Sequence, residues 1–327
     1  MHRPGVTVAR PKVYNCDSHK DGASSRVEIS RLSRNTVRFS RITIHPSHIA
    51  AVLAMWRHSD LSITRAVRHR VKALDPERPP ERFFEALRKA DERLLALDYD
   101  GTLAPFTARR EDATLYPGLA PLLAAILQQG TRIAFVTGRP AEDLAARIPL
   151  KGVEIFGAHG QEHITLSGRL TRAPLSASSR LWLDASALRI AAAGFGHALE
   201  RKYGTVAIHW RGARPDDRVQ LEKLARDMAV ELPADIQGLA FDGGYEFRVR
   251  GRDKGTAIAD LIARHPQAIM AYLGDDMTDE DAFIALPCTG LAVLVRDKLR
   301  DTHAHLWLRP PKELHTFLRS WMTAVTS

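Results

Sequence analysis

What this chain has little of narrows it before any motif is read. It has two cysteines, Cys16 and Cys288, too few and too far apart for a disulfide framework or a zinc cluster. A reducing, cytoplasmic setting is therefore expected. No apolar run approaches the ~20 residues that a bilayer-crossing helix needs, which excludes a helical membrane span. Nothing near the start resembles the apolar segment of a secretory signal. Aromatic residues are only 7% of the 327, and no residue type dominates, so a collagen, a coiled coil and a wholly disordered chain are excluded. Most of the chain also has no excess charge of one sign. Residues 1–80 carry 15 Lys and Arg against 6 Asp and Glu, and the remainder carries 32 of each, so the net +9 belongs to the N-terminal quarter. Nucleic-acid binding is not expected from the balanced body.

What is present is the composition of a globular protein, 45% hydrophobic and 26% charged, with length for about two domains. The first 45 or so residues lack periodicity and are expected to be poorly ordered. Their Arg- and Ser-rich make-up fits either an organelle transit peptide or an upstream extension preceding Met55. Short helices are expected over 47–57 and 61–74, and 1–80 is read as a basic N-terminal extension. From about residue 81 an amphipathic helix pattern (Phe83, Phe84, Leu87) leads into short apolar runs, Leu94–Leu97, Ile133–Val136, Val153–Phe156 and Met270–Leu273, each closed by polar residues. Helical stretches lie between several of them. Buried strands alternating with helices indicate an α/β domain with a mainly parallel sheet, whose ligands bind beyond the carboxyl ends of the strands. Between 173 and 249 the pattern changes to a helix (181–201), an alternating strand (205–211), a second helix (216–232) and a hairpin through Asp242-Gly243-Gly244. The expected organisation is a core of 81–172 and 250–327 split by an inserted α+β cap at 173–249.

The strand-closing residues carry the chemistry. The first strand ends in Asp98-Tyr99-Asp100-Gly101-Thr102-Leu103. Two carboxylates two residues apart at a sheet edge suit phosphoryl transfer, one attacking phosphorus and the other moving the proton. The next ends in Thr137-Gly138-Arg139, a hydroxyl and free N–H groups before a helix, which suit a phosphate. Lys254-Gly255 opens a later helix. Asp275-Asp276-Met277-Thr278-Asp279-Glu280-Asp281 closes the strand after it, five acids in seven residues, and such a run calls for a hard cation.

In order and spacing these four elements, over roughly residues 90–322, resemble the haloacid dehalogenase superfamily of phosphatases. That resemblance implies a Rossmann-like parallel-sheet core with an inserted cap. It makes Asp98 the nucleophile, Asp100 the general acid and base, and Thr137 and Lys254 the phosphate clamps. Mg²⁺ would be held by Asp98, the Asp100 backbone carbonyl and Asp275, with Asp276 and Asp279 as supporting acids.

Further strings resemble trehalose-6-phosphate phosphatases: Asp275 to Phe283, Gly157-Ala158-His159-Gly160-Gln161-Glu162, Glu200-x-Lys202 with His209-Trp210-Arg211, and Tyr245-Glu246-Phe247-Arg248. The resemblance implies hydrolysis of trehalose 6-phosphate. It also implies substrate contacts at Asp98, Tyr99, Asp100, Gly138, Arg139, His159, Glu162, Glu200, Lys202, His209, Arg211 and Glu246. From their chemistry alone Glu200, Lys202 and Arg211 fit surface ion pairs as well as sugar contacts. The family commonly has lysine where this chain has Asp242, and E-I-R-P where it has Glu246-Phe247-Arg248-Val249. The partner expected is a small sugar phosphate met by a monomer. Sucrose 6-phosphate or a mannosyl phosphate is the same-class alternative, and a nucleic-acid or acidic-surface binder with a vestigial phosphatase core is the alternative of another class.

Overall fold

The computed structural model describes residues 72–107, 112–241 and 243–326. The expected helix over 47–57, most of the one over 61–74, and Asp242 lie outside the described residues. Where 61–74 re-enters the described part it is extended: β1 (Lys72–Ala73) pairs antiparallel with the late strand β13 (Leu306–Leu308).

The chain then runs through α1 (Pro80–Lys89), β2 (Arg93–Leu97), α2 (Leu119–Gln128), β3 (Thr131–Val136), α3 (Ala141–Arg147), β4 (Glu154–Gly157), β5 (Glu162–Ile164) and β6 (Leu170–Arg172). Next come α4 (Ala177–Ile190), β7 (Leu199–Lys202), β8 (Thr205–His209), α5 (Pro215–Val230), β9 (Ile236–Phe241) and β10 (Gly244–Val249). The last part holds α6 (Lys254–Arg264), β11 (Ile269–Gly274), α7 (Glu280–Ala285), β12 (Leu291–Val295), β13 and α8 (Lys312–Thr326). The larger sheet has the order β1-β13-β12-β11-β2-β3-β4-β5-β6. Its six middle strands, β13 to β4, are all parallel.

Alternation along β2 explains why its sequence reads as unbroken apolar residues. Leu95 and Leu97 face the layer formed by α1, α2 and α8, while Leu94 and Ala96 face α6 and α7. A parallel strand with helices on both sides has no face left for polar side chains. The chain reverses at β2, with β3 on one side and β11 on the other, and that central position brings the ends of all three together.

The inserted segment builds a second sheet, β7-β8-β10-β9, wholly antiparallel. One face carries Val206, Ile208, Phe247 and Val249 onto α4 and α5. The helix expected over 181–201 stops at Ile190. Gly194, at φ +84°, helps unwind the chain, and Glu200 and Lys202 fall on a strand instead. No helix among the described residues is long and apolar enough to cross a membrane.

Candidate active site

Asp98 and Asp275 leave the carboxyl ends of the adjacent strands β2 and β11, tied by the hydrogen bond from the Asp98 N–H to the Leu273 carbonyl (2.9 Å). Gly101 turns the chain away at φ +82°, and a side chain there would collide with the Asp275 carboxylate. The Thr102 hydroxyl lies 3.3 Å from Asp98 Oδ2 and 3.4 Å from Asp275 Oδ1, between the two. From the other face comes Lys254, first residue of α6, whose start is fixed by a reciprocal cap between Asp253 and Thr256. Its Nζ donates to Asp98 Oδ1 at 2.9 Å and to Asp279 Oδ1 at 2.6 Å.

One ammonium among several buried carboxylates leaves negative charge in excess. Burial, with Asp279 and Asp276 nearby, pushes the Asp98 carboxyl up to about 8 in spite of Lys254. Asp275 is raised well above the ordinary range by burial and by the Asp98 charge. Lys254 is held protonated, because the pull of Asp279 and Asp98 outweighs its desolvation. Asp98, Asp275 and Asp279 each offer an oxygen within 4.8 Å of the others. This buried, oxygen-only and under-compensated cluster fits a hard divalent cation.

Asp279 is, however, fully engaged. Its Oδ1 accepts from Lys254 and from Tyr272 Oη (2.5 Å), and its Oδ2 from the N–H groups of Asp275 and Asp276 (both 2.9 Å). It shapes the acidic loop from beneath. Asp276 is outside the cluster, and its Oδ1 accepts from the N–H and hydroxyl of Thr278. Arg296 and Arg300 donate to the Asp275 carbonyl, and Arg300 donates to that of Asp276 as well.

On the side of β3, Thr137 is buried with its hydroxyl accepting from the Arg139 N–H at 3.2 Å. Gly138 lies against the His159 ring, and an added side chain would meet it at 2.7 Å. His159 Nε2 in turn lies 3.8 Å from Glu246 Oε2 on β10, so the turn after β4 meets the inserted sheet here. The strand alternation of β7, β8 and β10 puts Glu200, Lys202, His209, Glu246 and Arg248 on one face, opposite the apolar one. Glu200 pairs with Lys202 (3.3 Å) and His209 (3.0 Å). Glu246 Oε1 and Arg248 Nε are buried without a hydrogen-bond partner among the described residues.

Several expected substrate contacts are placed differently. The Tyr99 side chain turns into the core, where its hydroxyl donates to the Ala113 carbonyl. Glu162 is buried, accepting from the Ala141 N–H at the start of α3 and from Arg172. Arg211 lies past the end of β8, packed on the turn at Gly243, rather than beside His209 on the strand. Arg139, 1% exposed, points at Asp100. Sequence reasoning did not single out Thr102, Tyr272, Arg248, Arg296 or Arg300. Thr102 and Arg248 belong to the D-x-D-G-T and Tyr245-Glu246-Phe247-Arg248 motifs, whereas Tyr272, Arg296 and Arg300 have no local signal and act only through contacts made by folding.

A central strand ending in D-x-D, a hydroxyl on one neighbour, an acidic loop on the other, a lysine from a helix and an inserted second sheet together resemble the arrangement of haloacid dehalogenase-type phosphatases. Solved structures agree on the fold: the C-terminal domain of the C. albicans trehalose-6-phosphate phosphatase superposes with a TM-score of 0.62 at 21% identity. The match covers 78% of this chain and 99% of that one. Residues 96–298 match the family described as Trehalose-phosphatase, and the chain belongs to that family. It is 31% identical over 241 residues to a trehalose-phosphate phosphatase of Mycobacterium marinum, spanning 67% of this chain and 59% of the relative. An uncharacterized glycosyl hydrolase of Mycobacterium tuberculosis is 32% identical over 216 residues, 61% of this chain and 16% of that protein. The chain thus matches a little over half of one relative's length and a small part of the other's.

Proposed function

We propose that this chain is a divalent-cation-dependent phosphatase that hydrolyses trehalose 6-phosphate to trehalose and inorganic phosphate. The observation that carries the reading is the polar face of the inserted sheet reaching the turn after β4, where Glu246 meets His159, in a fold whose central strand ends hold the buried Asp98–Asp275–Asp279 cluster. A face of carboxylates, an amine, an imidazole and a guanidinium suits a ligand with many hydroxyls, and Lys254, with the cation that the buried acids would hold, suits its phosphate.

In the first half of the reaction an Asp98 oxygen attacks phosphorus as the bond from phosphorus to the sugar oxygen breaks. Asp100 gives its proton to that departing oxygen. In the second half water attacks phosphorus, its proton passes to the Asp100 carboxylate, and the bond to Asp98 breaks. Lys254 orients the nucleophile through Oδ1 and, with the Thr137 hydroxyl, is placed to bind phosphate oxygens whose charge spreads in the transition state. Mg²⁺, when bound by Asp98, Asp275 and the Asp100 carbonyl, would screen the repulsion between phosphate and carboxylate. Glu246, Arg248, Glu200, Lys202 and His209 hold the sugar and exclude water from the phosphate.

The test is phosphate release from trehalose 6-phosphate, glucose 6-phosphate, sucrose 6-phosphate and an aryl phosphate, with Mg²⁺ and with EDTA. The expected result is about a hundredfold or greater preference for the trehalose ester, lost with EDTA and abolished in Asp98→Asn with the fold intact. Turnover of the aryl ester alone would discard the substrate.

A further inference from the structure

Arg139 stood among the expected substrate contacts, and its surroundings direct it at the site's own carboxylate. The guanidinium is almost wholly buried. Nε donates to Asp100 Oδ2 at 2.7 Å and Nη2 to Asp100 Oδ1 at 2.6 Å, a two-pronged pair that fixes the plane of the carboxylate. Nη1 donates to Asp143 Oδ2 at 3.0 Å, and the other oxygen of Asp143 is taken by Arg147 Nε and Nη2 at 3.0 and 2.9 Å. The Tyr99 ring lies beneath, 5.3 Å from the guanidinium carbon. Arg139 is thus held from two sides by α3 and the core, and at the site it grips the carboxylate that the proposed reaction uses to move protons.

We infer that Arg139 is the positioning residue for Asp100: it sets the direction in which that carboxyl presents its proton to the departing sugar oxygen. The inference rests on the phosphatase reading above. Proton donation falls off steeply with misalignment, and a free Asp side chain rotates about two bonds. A buried, doubly anchored guanidinium removes that freedom before substrate arrives. Lysine keeps the charge but offers a single point of attachment, so it does not replace the fork. The proton balance is unchanged by this arrangement. Asp100 loses its proton to the leaving oxygen and regains one from the attacking water, while Arg139 keeps its own throughout.

The experiment uses the full-length protein, Arg139→Lys, Arg139→Ala and Asp143→Asn, and a series of aryl phosphates of graded leaving-group acidity beside trehalose 6-phosphate. The quantity read is kcat/KM, which reports events only through formation of the phospho-enzyme. An acidic nitrophenol leaves without a donated proton, but phenol and a sugar alcohol need one. In the Arg139 variants the nitrophenyl ester is expected to lose less than about fivefold, and the phenyl and trehalose esters about a hundredfold, the usual worth of general acid catalysis. The plot against leaving-group pKa therefore steepens. Asp143→Asn leaves the fork in place but loosens its support, and should steepen the plot by less.

An equal loss across all esters, with circular dichroism unchanged, would make Arg139 a merely structural residue and overturn the inference. Loss confined to the trehalose ester, with the aryl slope unmoved, would make it a sugar contact and overturn it as well. If Arg139→Ala fails to fold, Arg139→Lys and Asp143→Asn still decide the slope. Absence of Asp98-dependent hydrolysis in the parent protein would instead sink the phosphatase reading, and this one with it.

Discussion

Replacing Asp279 by asparagine separates two roles that an acid beside a cation site can have. In the structure its two oxygens each accept two hydrogen bonds, from Lys254 and Tyr272 on one side and from the Asp275 and Asp276 N–H groups on the other. An asparagine of the same shape has one oxygen, so whichever way it turns, an NH₂ group faces two donors. Each donor left unsatisfied in a buried site costs about 1–3 kcal/mol, and the charged one more. Breaking a buried ion pair costs about 3–5 kcal/mol when it strands a charge, but Lys254 keeps Asp98 and one negative charge leaves an over-acidic cluster, so about 2 kcal/mol is expected here. For a folded body of this size that corresponds to a Tm lower by roughly 4–8 °C. The measurement is thermal and urea denaturation of parent and Asp279→Asn in EDTA, where no cation contributes. A Tm within about 2 °C of the parent in EDTA, with the Mg²⁺-dependent stabilisation alone lost, would refute the reasoning and make Asp279 a metal ligand.

Two further outcomes follow from particular contacts. Glu154, buried at the far end of β4, is raised by burial, but the hydrogen bonds from His163 and Arg264 outweigh this and leave its pKa below the ordinary 4.5. A lowered folded-state pKa gives stability that is present above the unfolded value and lost as pH falls through the folded one. Glu154→Gln should therefore be less stable than the parent at pH 7, and the gap should narrow below about pH 4.5. A gap that does not change with pH, followed by urea midpoints from pH 7 to pH 3, would count against this. Arg248→Ala should raise KM for the sugar phosphate about tenfold or more, the worth of a hydrogen bond to a charged group, while leaving the aryl ester nearly unchanged. Equal changes on both esters would remove Arg248 from the sugar site.

The residues that could be read from the sequence share a physical reason. Asp98, Thr137 and Asp275 directly follow runs apolar on both faces, and such runs have to be central parallel strands, so the place of their first polar residues follows. At Lys254 only the helix start was legible locally, and its expected role came from the family resemblance. Residues whose partners are far along the chain were read less well. Glu162 looked like a ligand group because nothing local says that the Ala141 N–H, 21 residues earlier, would take its carboxylate. Arg139 likewise has its main partner 39 residues away, beyond the reach of any local pattern. The helix over 181–201 was drawn too long because its alanine-rich end favours a helix until the glycines. The strands β1, β5, β6, β12 and β13 were not singled out. Most are very short and take their place from pairing with neighbours.

The inserted sheet carries its apolar residues and its polar row on opposite faces of the same strands. Because the side-chain period of a strand is two, gaining or losing one residue within β8 or β10 would exchange the two faces beyond that point. Val206 and Ile208 would turn outward, and Ala207 and His209 would turn toward α4 and α5. The recognition surface can therefore diverge by point substitution far more readily than by insertion within the strands. Changes in chain length are tolerated at the turns between strands, such as the one at Gly243, where they leave the alternation undisturbed.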